Sequence, residues 1–441
     1  MEEYFLIEGG KILSGEIEVR GCKNAATPII AASLLTKEPC FISNLPLVED
    51  IFRMLEIIEA LGAEVEWVGE REVKIKASNI NPQKIRKDLI TKLRSSILIV
   101  GPLLARFKEV KLPRPGGCLI GARPLDAHLS GLSQLGAECQ VIKRKGEEKS
   151  YIFKGRDLKP QKVVLPEFSV TATENVLLTA SLLEGKTVLK IAALEPHVQD
   201  LVFVLQKMGA KVKWRHDHTI EVTGKRKLKG FNHFLIYDPT EAGSFLILAS
   251  LLSRLAKIKR KKAKIIVKNV CLDHLELVIL KLKEFGIKIK EKRQKRKNIF
   301  SLEVEAPRKF LPVKKVQVFP YPGIPTDLQC IFGVLASQSP GPTLIHDPMY
   351  EGRLKYLTDL QRMGAKVKLL DDHRAIVEGE SELFGTEIKN YDLRSGAAFI
   401  VAGLIAKGQT KISNIYQVDR GYEKIEKRLQ KIGAKIERIK K

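Results

Sequence analysis

The sequence predicts an α/β protein of two domains, each assembled from three copies of one small folding unit. Three observations carry this prediction. A glycine-centred phrase recurs six times at nearly even spacing. Helical periodicity precedes each copy and alternating apolar residues follow it. Several later helices are apolar on every side, which suits burial inside a domain rather than a place on its surface.

The phrase is a large apolar residue, glycine, a small or apolar residue, a charge, then alternating apolar residues. It begins at Leu61-Gly62-Ala63, Leu135-Gly136-Ala137, Met208-Gly209-Ala210, Phe285-Gly286-Ile287, Met363-Gly364-Ala365 and Ile432-Gly433-Ala434. The glycines lie 74, 73, 77, 78 and 69 residues apart. Solenoid repeats run to roughly 20–50 residues, so each copy is a small fold in its own right. Before the glycine, apolar residues recur at helical spacing, as in Ile51, Met54, Leu55 and Ile58 or Val202, Leu205 and Met208. The glycine is the left-handed residue that ends such a helix. After it a hairpin is expected, for example Lys211–Trp214 and Thr219–Val222 around a His-Asp-His turn. Apolar helices are then expected at Ala172–Leu183, Glu241–Leu252 and Ala397–Ala406.

The sixth copy stops after one strand at the carboxyl terminus. Tyr4–Glu8, followed by Gly9-Gly10, resembles the missing hairpin strand, so the amino-terminal strands are expected to complete the last repeat. This places one domain at residues 22–232 and the other at 1–21 plus 233–441, with two chain crossings and an active site in the cleft between them. A double crossing of this kind suits a cleft that closes on substrate.

Composition narrows the function classes. Hydrophobic residues make up 44% of the 441, enough for sizeable cores. The start, Met1-Glu2-Glu3-Tyr4, is acidic where a secretory signal would be basic and then apolar. No apolar run reaches the roughly 18 residues a spanning helix needs, so a cytoplasmic protein without a membrane partner is expected. The six cysteines form no Cys-x-x-Cys, and the eight histidines form no metal motif; neither a metal nor a cofactor is expected. The net charge of +25 is spread along the chain, with denser runs only at Lys257–Lys264 and Lys290–Lys297. No aromatic residues interleave with them to stack on bases, which argues against a nucleic-acid partner. A basic surface that attracts small polyanions is the simpler account.

Chemistry-bearing residues gather at the junctions between strands and helices. The loop Leu112–Pro124 holds Gly116-Gly117-Cys118, with Arg114 and Arg123 able to lower the thiol's pKa. Gly21-Cys22-Lys23-Asn24-Ala25-Ala26 joins a strand to a helix start, where backbone N–H groups and a lysine attract anions. Pro325-Thr326-Asp327 precedes an apolar helix. Asp327 is either an ordinary N-terminal cap or a carboxylate able to take a proton from a hydroxyl. Arginines recur at the corresponding places: Arg94, Arg353, Arg394 and Arg420. Taken singly each suits a surface ion pair, but converging they would suit a substrate with several negative charges.

These motifs together resemble the UDP-N-acetylglucosamine enolpyruvyl transferase family from Gly9 to Ile436. The segments that carry the resemblance, in order and spacing, are Gly21–Ala26, Pro115–Pro124, Pro325–Asp327 and Asp419-Arg420-Gly421-Tyr422-Glu423. The resemblance implies a two-domain inside-out α/β barrel of six βαβαββ repeats, three per domain. It implies transfer of the enolpyruvyl group of phosphoenolpyruvate to the 3-hydroxyl of UDP-N-acetylglucosamine, the first committed step of peptidoglycan synthesis. Cys118 would deliver a proton to the methylene carbon, and fosfomycin would alkylate it. Asp327 would be the general base, and Lys23, Arg123 and Arg420 would hold phosphoenolpyruvate beside Asn24. Arg94, Arg123, Pro124, Leu125, Asp126, Ala127, Ser169, Val170 and Met349 would line the sugar-nucleotide site. Arg353 and Arg394 would be further cleft residues, Arg353 helping to close a lid. The sister enzyme acting on shikimate 3-phosphate lacks the Gly-Gly-Cys pattern.

Three positions depart from the family's commoner pattern. Glu167 stands where a cation often approaches the diphosphate, Cys22 replaces a small residue beside Lys23, and Thr171 occupies a position that is often glycine.

Overall fold

The six repeated glycines set the frame of the structure, a computed structural model that describes residues 3–117, 124–143 and 149–440. Gly62, Gly136, Gly209, Gly286, Gly364 and Gly433 have φ between +83° and +107°, a conformation that a side chain would strain. Each ends a helix and turns the chain into a strand, which opens a hairpin in every copy but the last. The helices are Glu49–Ala60, Asp126–Gln134, Pro196–Lys207, Glu276–Glu284, Tyr356–Arg362 and Ile425–Gln430.

The described residues form two compact units. One takes the amino-terminal residues to Arg20 and the chain from Tyr237 onward; the other lies within Gly21–Ile236. The second passage from unit to unit therefore lies a few residues beyond the sequence-based boundary at 232. The reason is the strand Asn232–Phe234, which pairs in parallel with Cys40–Ser43 and so stays with the Gly21–Ile236 unit.

Within the Gly21–Ile236 unit there are three small sheets. One runs Asn232–Phe234, Cys40–Ser43, Glu72–Lys76, Glu64–Gly69, and a second runs Lys162–Val164, Gly185–Lys190, Thr219–Gly224, Lys211–Arg215. The third has three strands, Glu109–Pro113, Ser150–Lys154 and Glu138–Ile142. In the two four-stranded sheets an edge strand adds in parallel to an otherwise antiparallel ladder.

The other unit repeats this plan three times, and the amino terminus supplies two of its strands. Glu3–Glu8 lies between Gln409–Ser413 and Lys435–Lys440, antiparallel to both, and so fills the missing place in the sixth repeat. The next strand departs from expectation. Gly15–Glu18 does not join the last repeat but pairs in parallel with Ile265–Cys271 of the fourth. The amino-terminal segment thus completes the sixth repeat with its first strand and joins the fourth with its second.

The inner helices are buried on every side, so most of their positions are apolar. Leu328–Ser337 of the Thr326–Ser337 helix, Leu393–Leu404 of Leu393–Ile405 and Ala172–Ala180 of Val170–Ala180 are buried at every position. The expected spans were close, though the Pro239–Ile258 helix runs further at both ends than Glu241–Leu252. Hydroxyls inside these helices satisfy themselves on the preceding turn: Ser244 on the Thr240 carbonyl at 2.8 Å, Ser250 on Leu246 at 2.7 Å, and Thr179 on Asn175 at 2.8 Å. Part of the basic excess is also paired. Lys257 and Lys264 at the ends of one lysine-rich run reach Glu305 and Glu303 at 3.0 and 2.9 Å. No helix among the described residues is long and apolar enough to cross a membrane.

Several buried polar groups among the described residues have no such partner, and Glu174 is one that can titrate. Glu174, 1% exposed in the Val170–Ala180 helix, leaves its Oε1 without a hydrogen bond. Burial, and then the nearby Glu195 carboxylate, push its pKa well above the usual carboxylate range. The folded protein thus favours the protonated acid. Its stabilising contribution is full below the unfolded value of about 4.3 and is lost as pH rises through the folded value. Glu174→Gln, neutral at every pH, should raise the melting temperature at alkaline pH, by about 2–4 °C per kcal/mol recovered. Melts across the pH range should show the difference closing toward acid; a constant difference would mean that folding does not shift the pKa of Glu174.

Candidate functional site

Asp327 sits in the first turn of the Thr326–Ser337 helix, where the helix dipole favours a carboxylate. It is not the cap; that place belongs to Pro325. Instead its two oxygens are divided between two arginines. Arg353 Nη2 donates to Oδ1 in a very short contact, and Arg394 Nη2 lies 2.8 Å from Oδ2. The arginine side chains are 3% and 4% exposed, whereas that of Asp327 is 26% exposed. The carboxylate is therefore the accessible member of the group, held in one orientation from behind.

Burial alone would lower the pKa of Arg353, but Asp327 and then Asp392 outweigh it and the value is raised. Arg394 behaves alike: burial opposes its charge, and Asp327, Tyr422 and Asp238 restore it. Further contacts fix both side chains. Arg353 Nε donates to Thr326 Oγ1 at 3.2 Å, and Thr326 in turn donates to the buried Asp347 at 2.5 Å. Asp392 stands 3.5 Å from Arg353 and caps the Leu393–Ile405 helix through the amides of Arg394 and Ser395. Arg394 also lies over the ring of Tyr422, 5.6 Å from its centre. Arg353, expected to help close a lid, is held here between two carboxylates and is 3% exposed, so in this structure it supports Asp327.

Arg420, from the same unit, is 6% exposed and donates to Gln417 at 3.0 Å. Its neighbour Asp419 is taken by Arg438 through two hydrogen bonds of 2.9 and 2.6 Å. Met349 is exposed, with its amide donating to Asp347 Oδ1 at 2.9 Å.

In the Gly21–Ile236 unit, Lys23 opens the Lys23–Ala32 helix and pairs with Asp50 at 2.9 Å, both side chains mostly buried. It is not the solvated lysine that the motif alone would allow. Asn24 follows it, half-buried. Arg94 Nη2 donates to the carbonyl of Pro124 at 2.9 Å, which joins two of the expected nucleotide-lining segments. Pro124 is exposed, Leu125 and Ala127 are buried, and Asp126 begins the Asp126–Gln134 helix. A second link runs from this helix: His128 Nε2 lies 2.9 Å from Thr171 Oγ1, in the turn that follows Ser169 and Val170. Arg94, Pro124–Ala127 and Ser169–Val170 are thus tied together within one unit.

Cys118 and Arg123 lie outside the described residues. The glycines before them are explained up to that point. A Cβ at Gly116 would stand 1.6 Å from the Thr91 carbonyl oxygen, and Gly117 has φ +128°. Of the other thiols, Cys22 is buried, and burial pushes Cys40 up to about 12 and raises Cys139, Cys271 and Cys330. None of these last four has the depressed pKa of a reactive thiol.

The sequence reading missed Asp50, Asp347, Asp392 and His128. Asp392 lay beside the quoted Arg394 and could have been found as a helix cap before an apolar run. Asp50, 27 residues from Lys23, carried no local signal.

Comparison with known proteins places this geometry. The family model described as EPSP synthase (3-phosphoshikimate 1-carboxyvinyltransferase) matches residues 7–429. UDP-N-acetylglucosamine 1-carboxyvinyltransferase 2 of Clostridium tetani is 39% identical over 435 residues, covering 98% of this chain and 99% of the relative. UDP-N-acetylglucosamine 1-carboxyvinyltransferase 1 of Carboxydothermus hydrogenoformans is 40% identical over 441 residues, covering 100% and 99%. Among solved structures, the enolpyruvyl transferase NikO from Streptomyces tendae superposes with a TM-score of 0.87 at 22% identity, covering 99% of both chains. EPSP synthase from Acinetobacter baumannii superposes with 0.75 at 20%, covering 100% of both. At such identities these structures speak for the fold alone, whereas the sequence relatives speak for the branch. The chain belongs to the EPSP synthase family of enolpyruvyl transferases, in its UDP-N-acetylglucosamine 1-carboxyvinyltransferase branch.

Proposed function

We propose that the protein transfers the enolpyruvyl group of phosphoenolpyruvate to the 3-hydroxyl of UDP-N-acetylglucosamine and releases phosphate, in the cytoplasm, as the first committed step of peptidoglycan synthesis. The observation that carries this reading most directly is the carboxylate of Asp327, held by two buried arginines yet still accessible. The reaction needs such a group to take the proton of the sugar hydroxyl.

In the addition step the Cys118 thiol gives its proton to the methylene carbon of phosphoenolpyruvate, which makes C2 electrophilic. Asp327 accepts the proton of the 3-hydroxyl, and that oxygen forms a bond to C2. In the elimination step the bond from C2 to the phosphate oxygen breaks, a proton of the methyl carbon passes to the Cys118 thiolate to restore the double bond and the thiol, and the departing phosphate takes the proton held by Asp327. Acid and base catalysis each contribute about 10²–10⁴-fold in such steps. Lys23, Arg123 and Arg420 hold the carboxylate and phosphate of phosphoenolpyruvate, with Asn24 beside them. Arg94, Pro124–Ala127, Ser169, Val170 and Met349 hold the sugar nucleotide. Arg353 and Arg394 orient the base. Charges fixed in advance stabilise the anionic intermediate without reorganising during the reaction.

Purified protein mixed with both substrates should release phosphate only when both are present. No release from folded, monodisperse protein would refute the reading. Asp327→Asn keeps the size of the side chain but turns one of the two acceptors facing Arg353 and Arg394 into a donor, and should lower kcat by about 10²–10⁴-fold. A parallel melt shows whether the loss is chemical or reflects unfolding. Cys118→Asp should keep part of the activity, since a carboxylic acid can also supply the proton, and should resist fosfomycin. An adduct located by mass spectrometry on Cys22 instead would displace Cys118 from the acid's role.

A further inference from the structure

Asn175 lies at the centre of a buried hydrogen-bond chain whose direction can be read without ambiguity. Its Oδ1 accepts from the Gly101 amide at 2.9 Å, so its Nδ2 is the donor end. That nitrogen gives one hydrogen to the Ile97 carbonyl at 3.0 Å and the other to His128 Nδ1 at 2.9 Å. His128 Nδ1 is therefore an acceptor and carries no proton. The imidazole is neutral, since burial, and then the charge of Arg94, bring its pKa down to about 3. Its single proton must sit on Nε2, which donates to Thr171 Oγ1 at 2.9 Å. Thr171 is thus an acceptor toward His128, and its own hydroxyl hydrogen remains to be used.

We propose that Thr171 binds the diphosphate of the sugar nucleotide, donating a hydroxyl hydrogen that His128 turns away from the core and toward the ligand. The proposal rests on the functional reading above and names one more ligand group for the same site. Three observations support it. Thr171 follows Ser169 and Val170 in the first turn of the Val170–Ala180 helix, and it is only half-buried. His128 comes from the Asp126–Gln134 helix, so the bond joins the two strips assigned to the nucleotide. The Glu167–Val170 strip contains no cation, and its one charge is the negative Glu167, so a phosphate there depends on neutral donors. A hydroxyl already bound on its acceptor side is polarised to donate more strongly.

The test is calorimetric binding of UDP and of uridine to the full chain, wild type against Thr171→Val and Thr171→Ser. Valine keeps the shape and removes the hydroxyl; serine keeps the hydroxyl. Thr171→Val should weaken UDP by about ten- to hundredfold, the size expected for a hydrogen bond to a charged group, with uridine affected far less. Thr171→Ser should stay near wild type for both. In turnover the loss should fall on KM for the sugar nucleotide and not on KM for phosphoenolpyruvate. Equal weakening of UDP and uridine by valine, unchanged UDP binding, or failure of serine to restore it would each overturn the role of the hydroxyl. If wild type bound UDP but released no phosphate with both substrates, the functional reading would fall while the Thr171 contact could still be measured. If wild type bound no UDP, both would fall.

Discussion

A helix packed inside a small domain leaves little room for polar groups along its length, and this constraint concentrates them at its start. The Leu393–Ile405, Thr326–Ser337 and Val170–Ala180 helices are buried almost from end to end, and their few hydroxyls bond back onto their own turns. The unsatisfied N–H groups of a first turn must nonetheless be met. The helix starts are therefore where polar side chains gather: Lys23, Ser169, Asp238, Asp327 and Asp392 all lie at one. A sixfold repeat of that arrangement yields a set of polar junctions before any substrate is considered, and function can be added there without disturbing the core.

The Asp327 group shows what the surrounding charges do. Two arginines with almost no solvent would be costly on their own, because burial disfavours each charge. Asp327, Asp392 and Asp238 restore them, and Thr326 and Asp347 take further hydrogen bonds. The result is a carboxylate that cannot easily rotate, presented on the accessible side of a rigid cluster. Orientation achieved during folding need not be achieved again during reaction, which is the usual advantage of a preorganised site.

Most of this scaffold was legible in the sequence because a left-handed helix end demands glycine wherever it occurs. The spacing of Gly62, Gly136, Gly209, Gly286, Gly364 and Gly433 therefore displayed the repeat directly. The apolar helices were legible for a similar reason, since full burial removes polar positions. Gly15–Glu18 was misplaced because a four-residue edge strand fits any of several sheets, and only its parallel pairing with Ile265–Cys271 decides between them. The site divided along the same line. Lys23, Arg94, Asp327, Arg394 and Arg420 stand in local motifs, so the sequence alone could name them as candidates. Asp50 and Asp347 act over long separations and carried no local mark, and the two carboxylate partners of Arg353 were not legible from its own motif.

The chain from Gly101 through Asn175 and His128 to Thr171 joins the two levels. Its inner end is structural: Asn175 satisfies the amide of Gly101 and the carbonyl of Ile97 deep in the core. Its outer end is a hydroxyl in a half-buried turn. Because each donor in a hydrogen-bond chain fixes the role of the next atom, the core determines which way the last proton can point. A glycine at 171 would leave His128 Nε2–H without this acceptor. Threonine at that position therefore completes a buried network and, by the same bond, directs a donor outward.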